Sequence, residues 1–230
     1  MPEIAVIAGV GSGLSASLAR LLAREGFHVV LAARDTAKLG ALAAETKATA
    51  IAADVADPAS VEQLFASANK LGDLSLVVFN AAYRARGPVA DIDPEDVRKA
   101  LLVGTFGAFL VGQQAARRLL KRGAGSILFT GATAGVKGFA NSSPFAMQKF
   151  GLRGLAQSMA RELAPKNIHV AHFVIDGQIA SAERGRTPPV DAPDSMLSAD
   201  AIAETYLAIH RQQRSAWTWE VELRPWTEKF

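Results

Sequence analysis

Continuous apolar runs of strand length recur along this chain, each followed by a longer stretch of helical period. That alternation restricts the fold more than any other feature. The runs are EIAVIA (3–8), HVVLAA (28–33), ATAIAA (48–53), LSLVVF (74–79), GSILFT (125–130) and IHVAHFVI (168–175). None alternates polar with apolar residues, so each reads as a strand buried on both faces, as in a parallel sheet sheathed by helices. Between them lie a helix carrying Leu14, Leu18, Leu21 and Leu22 on one side, helices near 36–46 and 58–71, a long helix ending at RRLLKRG, and one over about 143–164. A final helix (about 198–213) and the run WTWEVEL (217–223) close the chain. Repeated strand–helix units predict an α/β, doubly wound parallel sheet of about seven strands with helices on both faces. The 230 residues suit one large domain spanning 1–230.

Composition narrows the function classes. Half the residues are hydrophobic and 20% are charged, which excludes a disordered, solvated polymer. Lys and Arg total 25 against 22 acids, well mixed, so no basic stripe suggests nucleic acid as a partner. No run approaches the roughly 18 apolar residues a membrane helix needs. The start, MPEIAVIAGVGSG, lacks a basic region before its apolar run, so no signal peptide is expected. With no cysteine, disulfides and thiolate metal sites are impossible, and a cytoplasmic location fits. The four histidines show no ligand-like grouping; no metal site is expected, and His169 and His172 read as buried, hydrogen-bonded side chains. Trp217, Trp219 and Trp226 suit either core packing or a subunit interface.

The stretch AGVGSGLS (8–15) stands between the first strand and the first helix. Gly9, Gly11 and Gly13 let the backbone turn tightly and approach a pyrophosphate, with Ser12 and Leu14 in the same turn and helix amides meeting the charge. A strict G-x-G-x-x-G fails, because position 14 is leucine; the place after the first strand of an alternating α/β chain strengthens the reading.

On these residues the chain resembles the short-chain dehydrogenase/reductase family, whose Rossmann-like fold carries the turn T-G-x-x-x-G-x-G. Ala8, Gly9, Gly13 and Ser15 stand at its four defined positions. ADVAD (53–57) resembles the family's adenine-contacting D-V step, Asp54 and Val55. NAA (80–82) resembles the N-A-G after the fourth strand, giving Asn80 and Ala81, with Ala82 in place of glycine. KFGLRGL (149–155) matches the helix after the family's lysine. The resemblance implies a nicotinamide cofactor and a small-molecule substrate. By the family register Ala33 takes the place of the acid that holds a ribose 2′-hydroxyl, and Arg34 follows it. NADP(H) is therefore favoured and NAD(H) possible. Asp35 comes late for the ribose and suits a cap of the next helix; Arg34 as an ordinary surface arginine stays open.

The family's chemistry uses a tyrosine to transfer the proton, a lysine to hold the nicotinamide ribose, a serine on the substrate oxygen and an asparagine near a relay water. Carried over, Y-x-x-x-K becomes Phe145-Ala-Met-Gln-Lys149, the serine's place falls on Ala132, and the asparagine's on Gly104, with Gly107 as the matching glycine. Lys149 alone persists. Thr133 and Ser143 stand close enough for a small slip to restore a hydroxyl, but no tyrosine lies near position 145. After the sixth strand, where the family has P-G, IDGQIAS (175–181) keeps Gly177, Ile179 and Ser181 and replaces the proline by Asp176. Asp176 is thus a candidate proton donor or a loop cap, and Tyr83 a second candidate hydroxyl, a pocket-lining side chain or a packed one. The charged, proline-rich segment 181–197 reads as a substrate lid or a plain surface loop. Two functions follow: an NADP(H)-dependent oxidoreductase with an altered proton donor, acting on a carbonyl or activated double bond, or a cofactor-binding partner or redox sensor without turnover. The resemblance also implies a homodimer or homotetramer built through the long helices.

Overall fold

A computed structural model describes residues 1–228. Seven strands form one parallel sheet: β1 (Glu3–Ala8), β2 (His28–Ala33), β3 (Thr49–Ala52), β4 (Asp73–Phe79), β5 (Gly125–Thr130), β6 (Ile168–Ile175) and β7 (Glu220–Leu223). Their order is β3-β2-β1-β4-β5-β6-β7. Winding therefore reverses between β1 and β4, which opens a crevice at the carboxyl ends of those two strands. β6 is buried at all eight positions, the condition that produced its unbroken apolar run.

The connecting helices are α1 (Leu14–Arg24), α2 (Gly40–Thr46), α3 (Pro58–Ala68), α4 (Pro94–Leu101), α5 (Gly107–Arg122), α6 (Ser143–Leu163) and α7 (Ala199–His210). Two apolar layers cover the sheet. Ile4, Val6, Val77, Phe79 and Phe129 face Val61, Leu64 and Phe65 of α3, Val111 of α5 and Leu152 of α6. Ile7, Leu31, Val78 and Phe173 face Leu18 and Leu22 of α1 and Ile202 and Tyr206 of α7. Side chains from alternate strand positions thus point to opposite layers, and each layer needs its own helices.

Local chemistry sets the helix ends. Asp57 caps α3 by accepting from the amides of Ala59 and Ser60, with Pro58 pre-set for the first turn. Gly123, at φ 81, ends α5 in the left-handed region. The long helix expected before RRLLKRG is not regular. A wide turn of π type, Leu102–Phe106, joins α4 to α5. The expected helix near 36–46 begins as a 3₁₀ turn, Ala37–Leu39, whose Ala37 amide donates to Asp35 at 3.1 Å. The residue at the start of that turn is Thr36, without a side-chain cap bond, so Asp35 supports the turn from one residue further out. Among the described residues no helix is long and apolar enough to cross a membrane.

Candidate active site

The crevice between the β1 and β4 ends widens into a cleft of ≈ 1660 Å³ that runs on past the end of β6. Its first wall is the glycine turn. Gly9 adopts φ 90, and a Cβ there would lie 2.4 Å from the Ala81 amide nitrogen, so the turn packs against backbone and admits only glycine. Ser15 donates to the Gly9 carbonyl at 3.1 Å and accepts from the Asn80 side-chain Nδ2 at 2.7 Å, tying the turn to the end of β4. Gly13 precedes α1 without any side-chain cap, so the first amides of α1 have no side-chain partner at that position. Around Gly13 no atom approaches a virtual Cβ within 4 Å. An open, uncapped helix start beside a tight glycine turn fits a phosphate-bearing ligand.

The predicted cofactor residues come together. Gly11, Ser12, Leu14, Arg34, Asp54, Val55, Asn80, Ala81, Lys149, Gly177 and Ile179 all line this one cleft. Asp54 follows β3; its carboxylate accepts from Ala56 N at 2.9 Å, which holds it at the strand end. Arg34 is exposed at the tip of β2 and, among the described residues, has no carboxylate within ion-pair range, whereas Lys38 reaches Asp35 at 3.4 Å.

Lys149 projects from α6, only 3% exposed, and donates to the Thr130 carbonyl at 2.7 Å. Burial, helped by the nearby Arg84 charge, pushes its pKa down to about 7. Phe145, one turn earlier on the same face, is 7% exposed. The Lys149 ammonium lies 5.7 Å from its ring centroid, and the Arg84 guanidinium 4.5 Å. Two cations thus share one ring. Ala132, in extended backbone after β5, presents only a methyl group to the cleft. Its neighbour Thr133 donates its hydroxyl to the carboxylate of Asp176, which also lines the cleft.

Tyr83 requires a correction. It is not part of the cleft lining, and its hydroxyl donates to Asp96 of α4 at 2.7 Å. That bond, followed by partial desolvation, raises its pKa, the opposite of what a proton donor near neutrality needs. What holds Tyr83 there is Gln148, which sequence reading passed over. Gln148 is fully buried, accepts from the Tyr83 amide at 3.1 Å and donates to the Tyr83 carbonyl at 3.0 Å. Its carboxamide fills the space beside Gly104, where a Cβ would fall 1.7 Å from Gln148 Oε1. Glycine at 104 is therefore the counterpart of glutamine at 148. Gly107 has a separate reason: a Cβ there would lie 2.9 Å from the Val55 carbonyl.

Four further cleft residues were not foreseen: Arg84 and Arg86 after β4, and Arg184 and Arg186 after β6. Their signal was in plain view as two Arg-x-Arg triplets, each shortly beyond the carboxyl end of a strand. Segment 181–197 closes on itself at its base, where the Ala180 amide donates to the Leu197 carbonyl and the Leu197 amide to Gln178. His169 and His172 are buried as expected. His172 donates from Nδ1 to the Glu220 carboxylate at 3.0 Å, and burial pushes its pKa down to about 4, so it is neutral. Among the described residues no cluster of His, Cys, Asp and Glu could hold a metal ion.

A nucleotide-shaped groove across a winding reversal, with a buried lysine at its far end, defines a dinucleotide-binding oxidoreductase scaffold. The profile of the short chain dehydrogenase family matches residues 3–182, and the chain belongs to that family. An L-2,3-butanediol dehydrogenase from Corynebacterium glutamicum is 30% identical over 90% of this chain and 82% of its own length. A short-chain dehydrogenase from Rhodopseudomonas palustris superposes with a TM-score of 0.85 at 33% identity, covering 97% of this chain and 99% of that one. A metagenomic short-chain oxidoreductase in complex with NADP superposes with a TM-score of 0.83 at 25% identity, covering 97% of each chain.

Proposed function

We propose that this member of the family is an NADP(H)-dependent oxidoreductase that reduces a small carbonyl or activated double bond through a proton donor other than the usual tyrosine. The observation that carries this reading is the single cleft joining the glycine turn, Asp54, Asn80–Ala81, the buried Lys149 and Gly177–Ile179. A bound nicotinamide dinucleotide would supply hydride there. The α1 amides would meet its pyrophosphate, Asp54 its adenine amino group, and Lys149 the ribose of its reactive end. Arg34 and Lys38, with Ala33 where an acid would repel it, favour a 2′-phosphate. The similar oxidoreductase that binds NADP supports the same preference.

Asp176 is the candidate to hold the proton that a reduced carbonyl oxygen takes up. The hydroxyl of Thr133 fixes its carboxyl at the cleft wall, on the same lining as Lys149. Wild type is expected to bind NADPH saturably and to reduce ketones or enones. Asp176→Asn lowers turnover by about 10²-fold or more, the scale of a lost general acid, with NADPH affinity unchanged. Unchanged turnover in that variant would remove Asp176 from the role.

A second reading rests on Phe145 and Ala132, which put a ring carbon and a methyl group where proton transfer needs hydroxyls. On that reading the chain binds cofactor without turnover, as a partner subunit or redox sensor. An inert wild type together with a Phe145→Tyr/Ala132→Ser double variant that reduces ketones would decide for it.

A further inference from the structure

Four of the arginines lining the cleft belong to two separate segments, yet they converge. Arg84 and Arg86 come from the connection after β4, Arg184 and Arg186 from the segment after β6. Among the described residues none of the four has a carboxylate within 4.0 Å, although the other cleft arginine with a close acid, Arg20, pairs with Glu45 at 2.7 Å. Asp176 and Glu183 lie on the same lining, and Asp176 is engaged by Thr133 instead. Arg186 Nε is buried without a partner. The pKa of Arg84 is lowered by burial and then by the charges of Arg86, Arg186 and Arg184, which marks mutual crowding of like charges.

Position divides the cluster. Arg184 stands over the phosphate turn, 3.3 Å from a virtual Cβ on Gly11. Arg84 stands at the opposite end, 4.5 Å from the centroid of Phe145, where the family places its chemistry. An anion held by Arg84 would therefore sit beside the reacting carbon, away from the pyrophosphate turn. Guanidinium forks match the flat oxygen pairs of carboxylate and phosphate, and such charge-assisted pairs are stronger than neutral hydrogen bonds.

We propose that the substrate of this cleft is an anionic carbonyl or enone compound, bearing a carboxylate or a phosphate, gripped by Arg84 together with Arg86 and Arg186. This inference rests on the oxidoreductase reading and adds the substrate's charge class to it. The like charges that destabilise the empty cleft are neutralised when the anion enters, so the same side chains discriminate against neutral ketones.

The test is calorimetric titration of the NADPH-saturated protein with malonate and with inorganic phosphate, at constant ionic strength, in wild type, Arg84→Gln and Arg86→Gln. At least one of the two anions binds saturably, and which one binds distinguishes a carboxylate from a phosphate substrate. Each substitution weakens it about tenfold or more, as expected for loss of one charge-assisted pair. NADPH affinity changes less than about threefold, and Arg84→Lys restores part of the anion affinity. Failure of both anions to bind the NADPH complex would overturn the proposal. So would anion binding that the substitutions leave intact, or a loss of NADPH affinity in Arg84→Gln as large as the loss of anion affinity, which would assign these arginines to the cofactor. If wild type bound no NADPH at all, the oxidoreductase reading itself would fail first, a result distinct from each of these.

Discussion

Lys149 carries a charge that its surroundings oppose. The buried ammonium donates to the Thr130 carbonyl and, among the described residues, has no carboxylate within ion-pair range. Its pKa falls from 10.5 to about 7. Below about pH 7 both folded and unfolded chains hold the proton, and the folded state carries the full cost of the buried charge. Between about 7 and 10.5 the unfolded chain binds a proton that the folded chain does not, so this contribution to stability rises with pH. Lys149→Met should therefore stabilise the cofactor-free protein most at pH 6, with the gain shrinking by pH 9. Melting temperatures of both proteins at the two pH values check this, and a margin independent of pH would contradict it. The identity of Lys149 was legible from its spacing to Phe145 and the motif around it. Its pKa was not, because burial and the approach of Arg84 are tertiary facts. The sequence left Tyr83 open between a proton donor and a packed side chain for the same reason: nothing in its local sequence announces the bond to Asp96.

At the scale of elements, strands β1, β2, β5 and β6 end where their apolar runs end, since burial on both faces leaves no polar position to blur the boundary. β7 is shorter than WTWEVEL. The Trp217 indole donates to the Gln212 carbonyl and the Thr218 amide to the Gln212 side chain, so those residues are held by the turn after α7 and pairing with β6 starts at Glu220. The π-type turn between α4 and α5 was invisible to periodicity, and so was the reason for its glycine, which sits on another helix: Gln148 of α6 occupies the side-chain space of Gly104. Gly104→Ala should cost ~1–3 kcal/mol, since the buried carboxamide must abandon both bonds to Tyr83. In Gln148→Ala the same glycine substitution should cost much less, giving a large coupling in a double-mutant cycle measured by denaturant unfolding. Additive costs would show that the two positions are independent.

Across the whole molecule, Phe106 and Phe109 stack at 6.5 Å at the start of α5, and Met147 and Phe150 stand on α6; all four are 39–49% exposed. Exposed aromatic side chains on two long helices suit a subunit interface. We expect a homodimer through this face, dissociated by Phe109→Lys/Phe150→Lys in light-scattering measurements while NADPH affinity persists; a monomeric wild type would refute it. The parallel sheet with helices on both faces followed from the alternation of runs, because unbroken apolar strands joined by helices leave few other architectures; the strand order became visible only in the structure. So did the convergence of arginines from two distant loops, since only folding brings residues a hundred positions apart to one wall.

The account depends on a dinucleotide cleft that functions without the phenol. Calorimetric titration of NADPH and NADH into wild type and Lys149→Met tests it most directly. One NADPH should bind saturably per chain, tighter than NADH, and about tenfold or more weakly once the lysine is replaced. Absence of saturable binding of either nucleotide to the wild-type chain would contradict it.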